Sequence, residues 1–152
     1  MRIKNPLFVV KDMKKSKFFY RHVLGLRTVM DFGANAVLTG GLALQTEESF
    51  VEFTQHAVTY RGNDKEIYFE EDNFDEFLKK LDSIESIEYV HPVMEHEWGQ
   101  RVIRFYDPDY HIIEVGESMK LVCHRFLDSG MTKEQVAERM NVPLKAVNIF
   151  AK

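Results

Sequence analysis

The sequence predicts an α+β protein that consists of two βαβββ modules and a C-terminal helical tail. Two observations carry this prediction. The order strand, helix and three strands occurs twice in succession, over about residues 1–63 and 64–117. Residues 118–152 then place apolar side chains at helical spacing. A repeat of this kind is typical of two modules related by approximate twofold symmetry, whose strands together form a cupped sheet around one cavity.

The first module starts with a strand predicted over Ile3–Val10 and a helix predicted over Asp12–Leu24. Asp12 suits the N-cap, and Gly25 suits the position that ends the helix. The buried helical face is predicted to comprise Ser16, Phe19, Tyr20, Val23 and Leu24. Three further strands are predicted over Leu26–Phe32, Asn35–Thr39 and Leu42–Thr46. Residues 47–63 show no clear period, which predicts a short helix or a loop.

The second module starts with a strand predicted over Lys65–Glu71, followed by a helix after Asp72-Asn73. Its helical apolar face is predicted to comprise Phe74, Phe77, Leu78 and Leu81. The remaining strands are predicted over Ile87–Glu97, Arg101–Tyr106 and His111–Gly116, with a turn at residues 107–110 between the last two. Glu114 interrupts the apolar run of the final strand. A carboxylate there is costly to bury unless a charged or hydrogen-bonding partner meets it, so Glu114 is a candidate site residue.

Composition limits the classes of function. The chain has 152 residues, 45% of them hydrophobic, and its net charge of −4 gives no support for general nucleic-acid binding. The charge is uneven, because the segment from Ser118 onward carries +3 and the preceding segment therefore carries −7. Its single cysteine excludes an intramolecular disulfide and a cysteine-based zinc cluster. No stretch approaches the about 18 apolar residues of a membrane span, so we expect a soluble cytoplasmic protein.

Three segments resemble a known family. KDMKKSKFFYRHVLGL resembles the opening signature of the vicinal oxygen chelate superfamily, EIYFEEDNFDEFLKKL resembles the start of its second module, and WGQRVIRFYDPDYHIIEV resembles its closing hairpin. This superfamily includes glyoxalases, bleomycin-resistance proteins, fosfomycin-resistance enzymes and extradiol dioxygenases, and the resemblance covers residues 3–117. The hairpin departs from the family pattern at Tyr110, where glycine is usual. A tyrosine holds a positive φ with difficulty, so we expect a turn of another type here.

The resemblance implies a set of candidate metal ligands, at four strand positions that face the cavity. Carried over to this sequence, these positions are Asn5, Gln45, Glu66 and Glu114. The set contains no histidine, although imidazole is the usual family choice for Zn, Fe and Ni. Carboxylate and amide oxygens suit Mg²⁺, Mn²⁺ or Ca²⁺, and the cofactor expectation is a divalent metal (Mg, Mn, Ni or Zn) or none. Without a metal, the same positions form a polar floor, as in drug-sequestering members of the superfamily.

The candidate catalytic residues are Glu114 and Glu66, either as metal ligands or as a general base. Trp98, Arg104 and Tyr106 are the candidate ligand-binding residues. Trp98 resembles the aromatic residue that lines ligand sites in the bleomycin-resistance branch, although a role in the core or at a dimer interface is equally compatible with the pattern. Arg101 and Arg104 lie on opposite faces of one strand, so one of them can meet an anionic ligand or Glu114, and the sequence does not decide which.

Three histidines, His91, His96 and His111, are close in sequence, but no pair has the spacing of a recognised zinc motif. Surface positions, or contacts to the residues around a site, are the favoured interpretation for each of them.

The tail has spacing similar to a helix-turn-helix. Thr132 and Gln135 form a predicted capping box, and residues 143–152 would be the recognition helix. Its exposed polar residues, Lys145, Asn148 and Lys152, are few for reading DNA, so the pattern favours a structural appendage.

The sequence therefore predicts a glyoxalase-related protein that binds a small organic molecule, as a lyase, isomerase or transferase with or without a divalent metal. The alternatives are a non-catalytic drug-sequestering protein and, third, a transcriptional regulator that uses the tail. The resemblance also implies a homodimer, because the family often builds its cavity across two chains. Nucleic acid and membrane are not expected partners.

Overall fold

The computed structural model describes all residues, Met1–Lys152, and shows an α+β protein. The strands are β1 (Leu7–Val10), β2 (Thr28–Asp31), β3 (Asn35–Leu38), β4 (Ala43–Thr46), β5 (Glu66–Glu71), β6 (Tyr89–Glu95), β7 (Arg101–Tyr106) and β8 (Ile112–Glu117). The helices are α1 (Met13–Leu24), α2 (Glu47–Thr54), α3 (Phe74–Asp82), α4 (Met119–Asp128), α5 (Lys133–Arg139) and α6 (Leu144–Phe150). This order confirms the predicted repeat of strand, helix and three strands and the predicted helical tail.

The chain forms two compact units. The first comprises Met1–Lys65 and Tyr106–Ile112, and the second comprises Glu66–Phe105 and Ile113–Lys152. Each unit has its own four-stranded sheet, and each is described by itself. The expectation that the strands of both modules enclose one cavity stays a prediction. No helix in the chain has the length and apolar character needed to span a membrane.

The sheet of the first unit has the strand order β1-β4-β3-β2. β1 pairs in parallel with β4, and β3 pairs antiparallel with β4. The two central strands β4 and β3 are buried at most positions, whereas the edge strand β2 is exposed throughout. This difference follows from sheet position, because an edge strand has one neighbour and less of its surface is covered.

Helix α1 begins and ends where the sequence predicts. The Asp12 side chain accepts a hydrogen bond from the backbone N–H of Lys15, and Gly25 ends the helix at a φ of 71°. Ser16, Tyr20 and Val23 are buried on the predicted face. This face brings a tyrosine hydroxyl and a serine hydroxyl into the interior of the first unit, where both find carboxylate partners.

The sheet of the second unit has the order β5-β8-β7-β6. β8 is a central strand, and every residue from Ile113 to Glu117 on it is buried. β6 pairs antiparallel with β7, with His91 opposite Arg104 and with two irregularities in the register. The central position of β8 is what buries Glu114 and Glu117, so both carboxylates require partners inside the unit.

The tail continues the second unit with three helices. Thr132 and Gln135 form the predicted capping box, with both reciprocal hydrogen bonds present. The buried residues of the tail form one cluster, which comprises Val122, Cys123, Val136, Ala137, Met140 and Val147. These are apolar positions of all three tail helices, so the helices pack on one another as the helical spacing predicts.

Two predicted details were wrong. The first strand was expected from Ile3, but it begins at Leu7, and Ile3 is 95% exposed. Pro6 accepts a hydrogen bond from the Ala43 N–H, and the parallel pairing with β4 starts only at Leu7.

Tyr110 was expected to avoid positive φ, but its φ is 66°. The Tyr110 N–H donates to the Asp107 carbonyl, and the Arg61 guanidinium lies 4.1 Å from the centre of the Tyr110 ring. These two contacts hold Tyr110 in the unfavourable backbone conformation.

Candidate functional site

Three side chains from neighbouring strands of the second unit meet on one face of its sheet. Arg104 on β7 donates from Nε to Glu66 Oε2 on β5 at 2.8 Å. The Nη2 group of Arg104 forms an ion pair with Glu114 Oε2 on β8, without the geometry of a hydrogen bond. The strand order places β8 between β5 and β7, which explains why one guanidinium reaches both carboxylates. We refer to this group as the Glu66–Arg104–Glu114 cluster.

The two carboxyl groups of the cluster differ in exposure and in acidity. The Glu114 side chain is 8% exposed and the Glu66 side chain is 39% exposed. Burial raises the pKa of Glu114 above its ordinary value, and the neighbouring Glu66 carboxylate raises it further against the opposing effect of Arg104. The hydrogen bond from Arg104 lowers the pKa of Glu66. A pair of carboxyl groups whose pKa values are displaced in opposite directions is an arrangement that can hold and transfer a proton.

His91 extends the cluster along the sheet. Arg104 Nη1 lies 3.2 Å from His91 Nε2, and His91 Nδ1 lies 2.7 Å from the Pro92 carbonyl oxygen. Since an arginine can only donate, Nε2 accepts and Nδ1 carries the proton that binds the carbonyl. This contact is compatible with the predicted surface or supporting role. A sequence argument could have found it only by pairing β6 with β7, because His91 and Arg104 stand opposite each other in that register.

The structure also decides which arginine meets Glu114. Arg101, on the opposite face of β7, binds Glu117 instead, with Nη2 at 2.6 Å from Oε1. Arg125 from α4 donates to the other oxygen of Glu117 at 2.9 Å. Glu117 has no exposed side-chain surface. Sequence reasoning did not select Glu117, because a glutamate at the end of a strand and before a helix gives no signal of burial.

The four candidate metal ligands fall into two pairs. Asn5 and Gln45 belong to the first unit, where Asn5 Nδ2 donates to the Gly41 carbonyl at 2.7 Å and Gln45 Nε2 donates to Ser49 Oγ at 2.9 Å. Glu66 and Glu114 belong to the second unit and both contact Arg104. No group of three or more His, Cys, Asp or Glu side chains is arranged to hold a metal ion. Because Arg104 already supplies the positive charge between the two carboxylates, the cluster as arranged does not fit a divalent cation.

The other two ligand-binding candidates have partners of their own. Trp98 Nε1 donates to Gln100 Oε1 at 3.1 Å, and the indole stacks on His96 at 4.2 Å between ring centres. Tyr106 belongs to the first unit, where its hydroxyl donates to Asn63 Oδ1 at 2.8 Å. Among the three predicted ligand-binding residues, the structure therefore brings Arg104 alone into contact with Glu66 and Glu114.

Comparison with known proteins identifies the relatives of this fold. Residues 3–120 match the family model described as a glyoxalase-like domain. A protein of unknown function from Agrobacterium tumefaciens is 38% identical, with a TM-score of 0.70 over 78% of this chain and 95% of its own. No protein with a curated function matches the chain.

Two further solved structures resemble the chain in fold at lower identity. A lactoylglutathione lyase from the same bacterium is 22% identical, with a TM-score of 0.62 over 77% of this chain and 93% of its own. A glyoxalase/bleomycin resistance protein/dioxygenase from Nocardioides has the same identity and TM-score, and covers 77% of this chain and 83% of its own.

Proposed function

Since the chain belongs to the glyoxalase-like domain family, we propose that it binds a small organic molecule at the Glu66–Arg104–Glu114 cluster and transfers a proton of that molecule. The observation that carries the proposal is the geometry of the cluster, in which one guanidinium, that of Arg104, contacts an exposed and a buried carboxyl group. Burial raises the pKa of Glu114, and the hydrogen bond from Arg104 lowers the pKa of Glu66. Paired carboxyl groups with separated pKa values can act as general acid and general base.

The exposures of the two carboxyl groups assign their roles. Glu66 is the more exposed and is the group that meets the ligand, whereas the buried Glu114, whose pKa is raised, is the group that takes up the proton beside it. Arg104 positions both groups, and its charge stabilises negative charge that develops on a bound carbonyl oxygen. Proton transfer next to a carbonyl belongs to lyase and isomerase chemistry. One structural relative is a lactoylglutathione lyase. At 22% identity this likeness supports only the fold, so the proposed reaction class depends on the pair of carboxyl groups.

A divalent metal was part of the expectation for this site. The proton transfer involves no metal, because the cation that lies between Glu66 and Glu114 is Arg104. A homodimer stays part of the proposal on the family resemblance alone, and light scattering of the purified protein measures it.

Exchange of protons in deuterated water tests the proposal directly. The probe is dihydroxyacetone, whose protons next to the carbonyl disappear from the proton NMR spectrum as a base exchanges them. We expect the protein to accelerate exchange above the buffer rate, and Glu114→Gln to reduce that acceleration by at least about 100-fold, since general acid–base groups contribute at this level. Glu70→Gln is the matched control, because Glu70 is an exposed glutamate on β5, the strand of Glu66, and contacts Tyr68.

An exchange rate equal to that of buffer, or a Glu114→Gln rate equal to that of the unchanged protein, would contradict catalysis by the cluster. The second candidate function is then sequestration of a small molecule without reaction. One observation favours it. Arg104 already contacts both carboxylates, so neither of them is without a charged partner when no ligand is bound. Sequestration predicts saturable binding by calorimetry with no exchange.

A further inference from the structure

The first unit contains a second group of interacting polar side chains. Tyr20 is fully buried and donates from its hydroxyl to Asp107 Oδ2 at 2.7 Å. The same oxygen lies 2.9 Å from His111 Nδ1. Burial and the Asp107 carboxylate raise the pKa of Tyr20 well above its ordinary value, so the phenol keeps its proton and stays a donor.

The hydrogen bonds of Asp107 fix the tautomer of His111. Its other oxygen, Oδ1, accepts from the backbone N–H groups of Asp109 and His111, both at 2.9 Å. All partners of this carboxylate are therefore donors, and His111 must present a protonated Nδ1 to it. In the neutral imidazole the lone pair then lies on Nε2. His111 thus offers an oriented acceptor at its Nε2 edge.

This imidazole lines a cavity of about 400 Å³ in the first unit. A volume of this size is within the usual range for small-molecule sites. The imidazole stacks on Phe8 with 4.1 Å between ring centres and 7° between planes, which fixes its orientation. Phe50 and Val58 add apolar surface to the same cavity, and the carboxyl group of Asp109 adds a second polar group.

The charges around the cavity limit the class of ligand. Asp109 is 4% exposed, and burial raises its pKa above the ordinary value. An ionised carboxylate or phenolate would lie beside this carboxyl group and has no hydrogen to donate to Nε2. A cationic ligand would meet Arg61 and Lys65, which also line the cavity. A neutral molecule that has an aromatic body and one hydroxyl donor satisfies both constraints.

We propose that this cavity is a binding site for a small phenol, which lies against Phe8 and Phe50 and donates its hydroxyl hydrogen to His111 Nε2. Tyr20 and Asp107 are positioning residues, since they orient the imidazole without touching the ligand. All of these residues belong to the first unit. The site is therefore separate in composition from the Glu66–Arg104–Glu114 cluster, and the proposal stands or falls without that cluster.

Calorimetry with two matched ligands tests the proposal. The first is p-cresol, and the second is 4-methylanisole, in which a methyl group replaces the hydroxyl hydrogen. We expect p-cresol to bind roughly tenfold more tightly, as one net hydrogen bond contributes at this level. His111→Phe keeps an aromatic ring beside Phe8 and removes the acceptor, so the preference for p-cresol should disappear in this variant.

Tyr20→Phe is the matched control, because it also removes one hydrogen bond from Asp107 but retains the acceptor on His111. We expect it to keep a preference for p-cresol. Nitrogen NMR supplies a readout that a purely structural role would not move: p-cresol should shift the His111 Nε2 resonance, and 4-methylanisole should not. Glu114→Gln should bind p-cresol as the unchanged protein does, which separates this proposal from the proton-transfer function.

Equal binding of the two ligands, or a preference that persists in His111→Phe, would overturn the hydrogen bond to His111. Tighter binding of benzylammonium or benzoate than of p-cresol would overturn the assignment to a neutral phenol. If p-cresol does not bind, or shifts resonances of Glu66 and Glu114 in place of those of His111, the proposed site is wrong.

Discussion

At the residue scale, Arg104 determines the chemistry of the candidate site. It contacts the carboxylates of Glu66 and Glu114 and the imidazole of His91. In a partly buried setting each carboxylate requires a positive charge or several donors to remain ionised. A single arginine supplies that charge here, between Glu66 and Glu114. The residue thus acts on the acidity of both carboxyl groups.

The first prediction concerns the cation between the two carboxylates. Arg104→Gln removes the positive charge and leaves two carboxylates close together, which is an oxygen-rich arrangement that suits Mn²⁺ or Mg²⁺. We expect Mn²⁺ to raise the melting temperature of this variant by a few degrees, roughly 1 kcal/mol of stabilisation by mass action. The unchanged protein should show no comparable shift. A thermal-shift screen with Mg²⁺, Mn²⁺, Ni²⁺ and Zn²⁺ measures both.

Arg104→Lys is the control for this prediction, since it keeps a positive charge at the position. It should resemble the unchanged protein. Adding Glu114→Gln to the Arg104→Gln variant should abolish the metal response, because one of the two carboxylates is lost. A Mn²⁺ shift in the unchanged protein as large as that in Arg104→Gln would show that the arginine does not exclude the ion.

At the element scale, the turn between β6 and β7 depends on a contact with helix α4. Gly99 has a φ of 86°, and its N–H donates to the His96 carbonyl at 2.8 Å. A Cβ atom at this position would lie 2.2 Å from Cζ of Phe126. The turn therefore needs glycine for two independent reasons, its backbone conformation and the close approach of an aromatic ring.

The second prediction separates these two reasons. Gly25 also has a positive φ, of 71°, but a Cβ there would meet nothing within 4 Å. We expect Gly25→Ala to cost about 1–2 kcal/mol of unfolding free energy from backbone strain alone. Gly99→Ala should cost about 1–3 kcal/mol more, because the ring of Phe126 must move. Urea unfolding of the two variants measures the difference.

In the Gly99→Ala background, Phe126→Ala removes the ring that causes the steric conflict, so the two substitutions should be less costly together than the sum of the two alone. If Gly25→Ala and Gly99→Ala lower the free energy of unfolding equally, or if the effects of Gly99→Ala and Phe126→Ala simply add, the Phe126 ring and the turn do not constrain each other.

At the scale of the whole molecule, one buried carboxylate affects how stability depends on pH. Glu117 accepts hydrogen bonds from Arg101 on β7 and Arg125 on α4 and so joins the sheet of the second unit to its tail. Burial works against ionisation, but these hydrogen bonds hold the pKa of Glu117 below its ordinary value of 4.5. The unfolded chain therefore binds this proton more readily than the folded protein does.

The third prediction follows from the sign of that shift. The contribution of Glu117 to stability is present above pH 4.5 and is lost as pH falls from there through the lowered pKa of the folded protein. Glu117→Gln should lower stability near pH 7 by about 3–5 kcal/mol, since Arg101 and Arg125 lose their shared buried carboxylate and keep only the more exposed Asp75 and Glu95 as ion-pair partners. Its stability should then fall less steeply below pH 4.5. Urea unfolding between about pH 3 and pH 7 measures both effects.

Glu70→Gln controls for removal of one negative charge from an exposed position, and its stability curve should run parallel to that of the unchanged protein. A Glu117→Gln curve that is merely displaced, with the same slope below pH 4.5, would contradict a special role for this carboxylate in acid unfolding.

The DNA-binding hypothesis for the tail stays a prediction from sequence. The structure adds that Asn148, one of its few candidate base-reading residues, accepts a hydrogen bond from Lys133.

The sequence alone determined the order of the elements, the ends of the best-marked helices and the family. These features depend on local chemistry: Asp12 and Gly25 delimit α1, and Thr132 with Gln135 caps α5, whatever lies elsewhere in the chain. It also selected Glu66, Arg104 and Glu114 as candidates. The start of β1 could not be predicted in the same way, because a strand begins where its hydrogen-bonding partner begins.

Only the tertiary structure decided which of these candidates meet. Arg104 contacts Glu114, and Arg101 contacts Glu117, because the order of β5, β8 and β7 sets which side chains share a face. Trp98 contacts Gln100 and Tyr106 contacts Asn63, and neither is brought to Glu66 or Glu114. Tyr20 and Asp107, which contact each other and His111, are 87 positions apart in the sequence. Long-range contacts of this kind depend on the register of the whole fold, which local sequence patterns do not encode.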